Sequence, residues 1–88
     1  MDSDLTQLER IKNLGPESAK MLADVGIRTL EDIREFGSVN TYTLLKERGY
    51  HISLVMVYAL EGAIRDVHWN ALPDQVKEGL KRDIALSK

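Results

Sequence analysis

Eighty-eight residues, 43% of them hydrophobic and 30% charged, make one small globular domain that buries roughly 60–65% of the surface its unfolded chain exposes. A formal net charge of −2 weighs against strong nonspecific nucleic-acid binding, which depends on neutralising phosphates with several Lys and Arg. Cysteine is absent, so disulfides and thiolate chemistry are excluded, and a reducing cytosol is compatible with this.

The N-terminus MDSDLTQLER lacks the basic start and apolar run of a signal peptide. Residues 1–4 read as a loose lead into a single domain over residues 1–88. Leu5, Leu8 and Ile11 recur at helical spacing and predict a short first helix that runs into a turn at Asn13–Gly15. The stretch IKNLGPESAKMLADVGI, from Ile11 to Ile27, then reads as two helices joined by a tight turn, a helix-hairpin-helix-like motif. Gly15 supplies the permissive backbone, Pro16 fits the first helical turn where its missing N–H is harmless, and Ala19 is small enough for close packing. Met21, Leu22 and Val25 carry the apolar face. The usual hairpin has a glycine where this chain has Asn13, the side chain that best tolerates a left-handed backbone.

Amides at the start of the second helix can hold a phosphate. Lys12, Asn13, Gly15, Ser18 and Lys20 are therefore the candidate phosphate or DNA-binding residues. Glu17 would repel an arriving phosphate. Up to Gly37 the chain has five basic and eight acidic residues, against seven and six beyond it, so the hairpin sits in the more acidic part. The same residues also read as a corner that only packs.

Gly26 is placed to end the second helix with a left-handed residue. Thr29 and Asp32 resemble a capping box with Asp in place of Glu, ahead of the stripe Leu30, Ile33 and Phe36. Gly37 stops that helix, and Ser38 is expected to cap a fourth carrying Val39, Tyr42 and Leu45, which Gly49 ends. Ser53 opens LVMVYALEGAI, apolar on nearly all sides and hence the expected central helix. Within it, Gly62 would allow another helix to approach closely. The segment Leu44–Gly62 reads as a second, degenerate hairpin turning at Arg48–Ser53.

Asp66 to Asn70 is a connection, and Pro73 starts a last helix with Val76, Leu80 and Ile84 on one face. Lys77, Lys81, Arg82 and Lys88 lie mostly on the others and read as a solvated charged face. The longest apolar run, Leu54 to Leu60, is far shorter than the roughly 20 residues a membrane span needs. No membrane anchor is expected, and the expected location is the cytoplasm. The fold class that emerges is all-α, a compact bundle of five to six short helices.

Catalytic chemistry finds little support. His51 and His68 stand without a nearby second metal ligand, no nucleophile elbow is present, and Gly15 is not followed by GK[ST]. No enzyme, cofactor or metal is expected. Glu61, inside the most apolar helix, needs a partner, and Arg65 four residues on has the favourable orientation. Trp69 reads either as a lid on the core or as an anchor for a partner, and is the candidate partner-binding residue.

The segments NLGPESAKML, GIRTLEDI, SLVMVYALEGAI and HWNALP together resemble the C-terminal domain of the TfoX/Sxy family of bacterial competence regulators, over about Gln7 to Gly79. The most specific parts are Asn13–Pro16, Tyr58–Ala63 and His68–Pro73. The resemblance implies an all-helical fold related to helix-hairpin-helix domains, in which Asn13, Glu61 and Trp69 belong to the family pattern. Fuller members carry a separate N-terminal domain and act in transcriptional control of DNA uptake; this chain looks like a stand-alone copy of the C-terminal domain. The expected function is a non-enzymatic regulatory interaction domain with a protein partner and auxiliary DNA contact, as a monomer or homodimer. The alternative is a sequence-independent DNA-binding module using the amides around Asn13–Ser18.

Overall fold

A computed structural model of the protein describes residue 11 and residues 13–86. Among the described residues the chain is all-helical: α1 (Pro16–Asp24), α2 (Leu30–Phe36), α3 (Ser38–Glu47), α4 (Leu54–Arg65), a 3₁₀ turn (Trp69–Ala71) and α5 (Asp74–Leu86). The first helix expected from Leu5, Leu8 and Ile11 lies outside the described residues, except for Ile11, which packs on the core.

Local chemistry sets most boundaries. Pro16 opens α1, and Gly26 at φ +84° closes it while Ile27 N–H reaches back to the Leu22 carbonyl at 2.8 Å. The capping box at α2 forms as expected. Thr29 Oγ1 accepts the Asp32 N–H at 3.1 Å, and Asp32 Oδ2 accepts the N–H groups of Arg28 at 3.0 Å and Thr29 at 3.2 Å. These donors, Arg28 foremost, favour the charged carboxylate and hold Asp32 below its ordinary pKa.

A single residue, Gly37, joins α2 to α3. Its φ of +87° and ψ of +153° fall in a region essentially reserved for glycine. Its N–H closes α2 on the Ile33 carbonyl at 2.7 Å, and its carbonyl accepts the Thr41 N–H of α3 at 3.0 Å. Because Gly37 takes the boundary, Ser38 is already helical and does not cap α3. It is buried, and its hydroxyl donates to Glu61 Oε1 in α4 at 2.7 Å. Ser53 does occupy the N-cap position of α4, but its side chain makes no capping bond.

Helix α4 is the centre of the bundle. It buries Met56, Val57, Ala59, Leu60, Gly62 and Ala63 and packs against α2, α3, α5 and the 3₁₀ turn. Leu22, Ile27, Ile33, Leu45, Val57 and Leu60 are fully buried, so every element from α1 to α4 feeds the same core. Each such side chain contributes roughly 1.5–3 kcal/mol relative to exposure. Leu80 and Ile84 close it from α5. The loop from Arg48 to Ser53 folds α3 back onto α4 as a helical hairpin, as the segment Leu44–Gly62 predicts.

Candidate interaction surface

Asn13 is the left-handed residue of the hairpin turn, with φ +76°. Gly15 does not need its conformational freedom there. Its φ of −125° and ψ of −172° are extended backbone, and nothing lies within 4 Å of where its Cβ would stand. The turn is instead secured by the Asn13 side chain, which crosses to the far end of α4. Its Nδ2 donates to the Val67 carbonyl at 2.9 Å and more loosely to the Ala59 carbonyl at 3.4 Å, while its Oδ1 accepts the Trp69 N–H at 3.1 Å.

Gly62 makes room for this. The close approach that it permits is by the Asn13 amide and the backbone of Val67 and Trp69, not by another helix. The chain can turn back there because Asp66 takes a left-handed conformation at φ +58°, so that Val67 N–H reaches the Gly62 carbonyl at 2.9 Å.

The other candidate phosphate-binding residues do not share that cluster. Gly15 precedes α1, Ser18 is half-buried in its first turn, and Lys20 is exposed one turn on; Lys12 lies outside the described residues. The N–H groups of Glu17 and Ser18 have no acceptor within their own helix. Glu17 stands exposed among them.

Trp69 is half-buried at the start of the 3₁₀ turn and sits in an aromatic group. Tyr58 stacks on it with ring centroids 6.3 Å apart and planes 19° apart, and His68 stacks at 6.0 Å and 26°. Lys77 of α5 holds its ammonium 5.4 Å from the Trp69 centroid and 6.0 Å from that of Tyr58, within cation–π range. The anchored donor of Trp69 is its backbone N–H on Asn13. His68 Nδ1 accepts the Asn70 N–H at 3.1 Å and so starts the 3₁₀ turn. His51 is exposed, and no group of three or more potential metal ligands occurs among the described residues.

Two polar clusters tie elements together. Glu61 pairs with Arg65 at 2.7 Å, as its position predicts, and also accepts from Ser38. In the second, Asp24 of α1 accepts from Tyr50 Oη at 2.9 Å and Arg48 Nε at 3.2 Å. The Tyr50 hydrogen bond, with Arg48 second, lowers the Asp24 pKa; the same carboxylate raises that of Tyr50. Sequence reasoning missed this cluster, whose members lie in separate elements with no local spacing to link them.

Between α3 and α5 runs an open cleft of about 570 Å³. Its lining includes Tyr42, Leu54, Ile84 and Ala85, and Lys46, Glu47 and Lys81 also border it.

Fold and surface define a small all-helical domain with a helical-hairpin turn, a half-buried aromatic platform and no helix among the described residues long and apolar enough to cross a membrane. The model of the TfoX C-terminal domain matches residues 5–84, and the chain belongs to that family. It is also similar to a solved structure of an uncharacterised protein from Listeria monocytogenes, with 28% sequence identity, a TM-score of 0.80 and 84% of each chain covered. No curated protein matches the chain.

Proposed function

We propose that this domain is a non-enzymatic interaction module that acts in regulation through contact with a protein partner. The Trp69 platform supports this reading. Trp69 is pinned through its backbone by Asn13 and bracketed by Tyr58, His68 and Lys77, so little side-chain entropy remains to be lost when a partner covers it. A rigid, half-buried aromatic is the side-chain chemistry that protein interfaces concentrate. By family resemblance the regulated process is the control of DNA uptake.

The test is recovery of partners on the intact domain and on Trp69→Ala, with helical content and unfolding midpoint measured for both. A partner held by the wild type and lost from a folded Trp69→Ala variant is the expected result. Recovery of no partner sensitive to Trp69 removes the reading's support.

Direct, sequence-independent DNA binding is the second reading. It draws on the unoccupied first-turn amides of α1 and the open space at Gly15. Anisotropy titrations of single-stranded and duplex DNA at low and physiological salt test it, with Gly15→Val as the variant. Salt-sensitive binding that this substitution removes brings the DNA reading first; no binding at low salt eliminates it.

A further inference from the structure

The aromatic platform and the cleft are neighbouring stations on the same strip of surface. On α4, Leu54 and Tyr58 are one turn apart; on α5, Lys77, Lys81 and Ala85 are successive turns. Lys77 lies over Tyr58, while Lys81 and Leu54 border the cleft together. The two helices therefore run antiparallel along this seam. From Lys77 to Ala85 it extends about 12 Å, roughly two helical turns.

The chemistry of the strip is uneven in a specific way. Its floor is apolar, from Trp69 and Tyr58 through Leu54 to Tyr42 and Ile84. Lys46 and Lys81 border the cleft with one acid, Glu47, and Lys77 stands over the aromatic end of the strip. Among the described residues none of these lysines takes part in an ion pair, although Glu31, Asp24 and Glu61 each have a cationic partner. We infer that the α4–α5 seam is a docking groove for an acidic amphipathic helix of a partner protein. The inference rests on the protein-contact reading above and names the partner's chemistry.

Charge complementarity selects an acidic occupant, and the one-turn spacing of the stations matches side chains at i, i+3 or i+4, and i+7 of a helix. A nucleic-acid strand could stack at Trp69 and Tyr58 but meets aliphatic side chains at Leu54, Ile84 and Ala85, and the formal net charge of −2 disfavours it. A second copy of the chain does not supply α2 as that helix, because Ile33 on it is fully buried in its own core.

The test uses the full chain and a fluorescein-labelled synthetic peptide of about four helical turns, with Leu and Phe at i, i+3, i+4 and i+7 and Glu elsewhere. A peptide of the same composition in scrambled order is the control. Binding of the patterned peptide about tenfold tighter than the scrambled one is expected, weakened by salt and reduced about tenfold or more by Lys46→Glu/Lys81→Glu. Arg34→Glu, on exposed α2 surface, leaves it unchanged.

Equal binding of both peptides, or indifference to the lysine reversals, overturns the groove. So does a chain whose self-association, or whose DNA binding in place of peptide binding, is what the reversals remove. A native partner lost with Trp69→Ala yet retained by Lys46→Glu/Lys81→Glu also overturns the groove, while leaving the protein-contact reading standing.

Discussion

Asn13 and Gly62 occupy mutually exclusive space: a Cβ on Gly62 would stand 2.5 Å from Asn13 Nδ2 and 2.7 Å from the Val67 carbonyl oxygen. The missing side chain on α4 is what lets the hairpin turn reach Val67 and Trp69. Residue 13 thereby fixes the 3₁₀ turn that presents the aromatic platform.

Gly62→Ala is expected to destabilise the domain by about 1–3 kcal/mol, since backbone atoms must retreat to admit the methyl group. Helix propensity alone argues the other way, by about 1 kcal/mol in favour of alanine. Urea denaturation separates the two effects. A midpoint raised above the wild type by the full propensity gain would show that the close approach carries no energetic weight.

Asn13→Gly restores the residue usual in helical hairpins and relieves a left-handed asparagine, yet it is expected to destabilise the domain by about 1–2 kcal/mol net. It leaves the Val67 carbonyl and the Trp69 N–H without their side-chain partner. Trp69 is the chain's only tryptophan, so its emission reports directly on loss of the platform's order. The double variant with Gly62→Ala should cost less than the sum of the single ones, because the Nδ2 contact disappears while the Val67 contact stays. Strict additivity would place the two residues in independent roles.

Gly37→Ala is expected to cost about 1–3 kcal/mol although no atom lies within 4 Å of the added Cβ position. The penalty is conformational. Asp66→Gly, at the left-handed end of α4, should move stability upward by a few tenths to about 1 kcal/mol. Thermal unfolding of the two variants tests the pair, and a shift in the same direction for both contradicts the backbone account.

Asp24 and Tyr50 should show reciprocal titrations. The folded pKa of Asp24 lies below its unfolded value, so its contribution to stability is present above the unfolded carboxylate range and is lost as pH falls through the folded value. Tyr50 is raised above its ordinary 10.0, so its contribution is present below that value and is lost as pH rises through the folded one. Tyr50→Phe should raise the Asp24 pKa towards normal in an NMR carboxyl titration, and Asp24→Asn should lower that of Tyr50. An Asp24 titration unmoved by Tyr50→Phe would break the link.

Much of the helical framework was legible because its signals are local. The Thr29–Asp32 box, the left-handed stop at Gly26 and the pairing of Glu61 with Arg65 act across a few residues, and each took the form their spacing predicts. The misreadings have equally definite causes. Ser38 has the side chain of a cap, but Gly37 claimed the helix boundary and the Ser38 hydroxyl turned to Glu61, 23 residues away. Gly15 looked like the permissive point of the hairpin, yet its backbone is extended; the left-handed residue is Asn13, as its tolerance for that conformation allowed, and its amide bonds to Val67 and Trp69 are what local spacing did not show.

Helix type, helix ends and the identity of the most buried helix thus follow from periodicity and capping, which need no knowledge of the rest of the chain. The working surface does not. Asn13 meets Trp69 across 56 residues and Asp24 meets Tyr50 across 26, and the Lys77 stack on Tyr58 and Trp69 exists only because α5 packs back along α4. Such contacts depend on where packing of the apolar faces leaves polar groups facing one another, and local spacing carries no record of that.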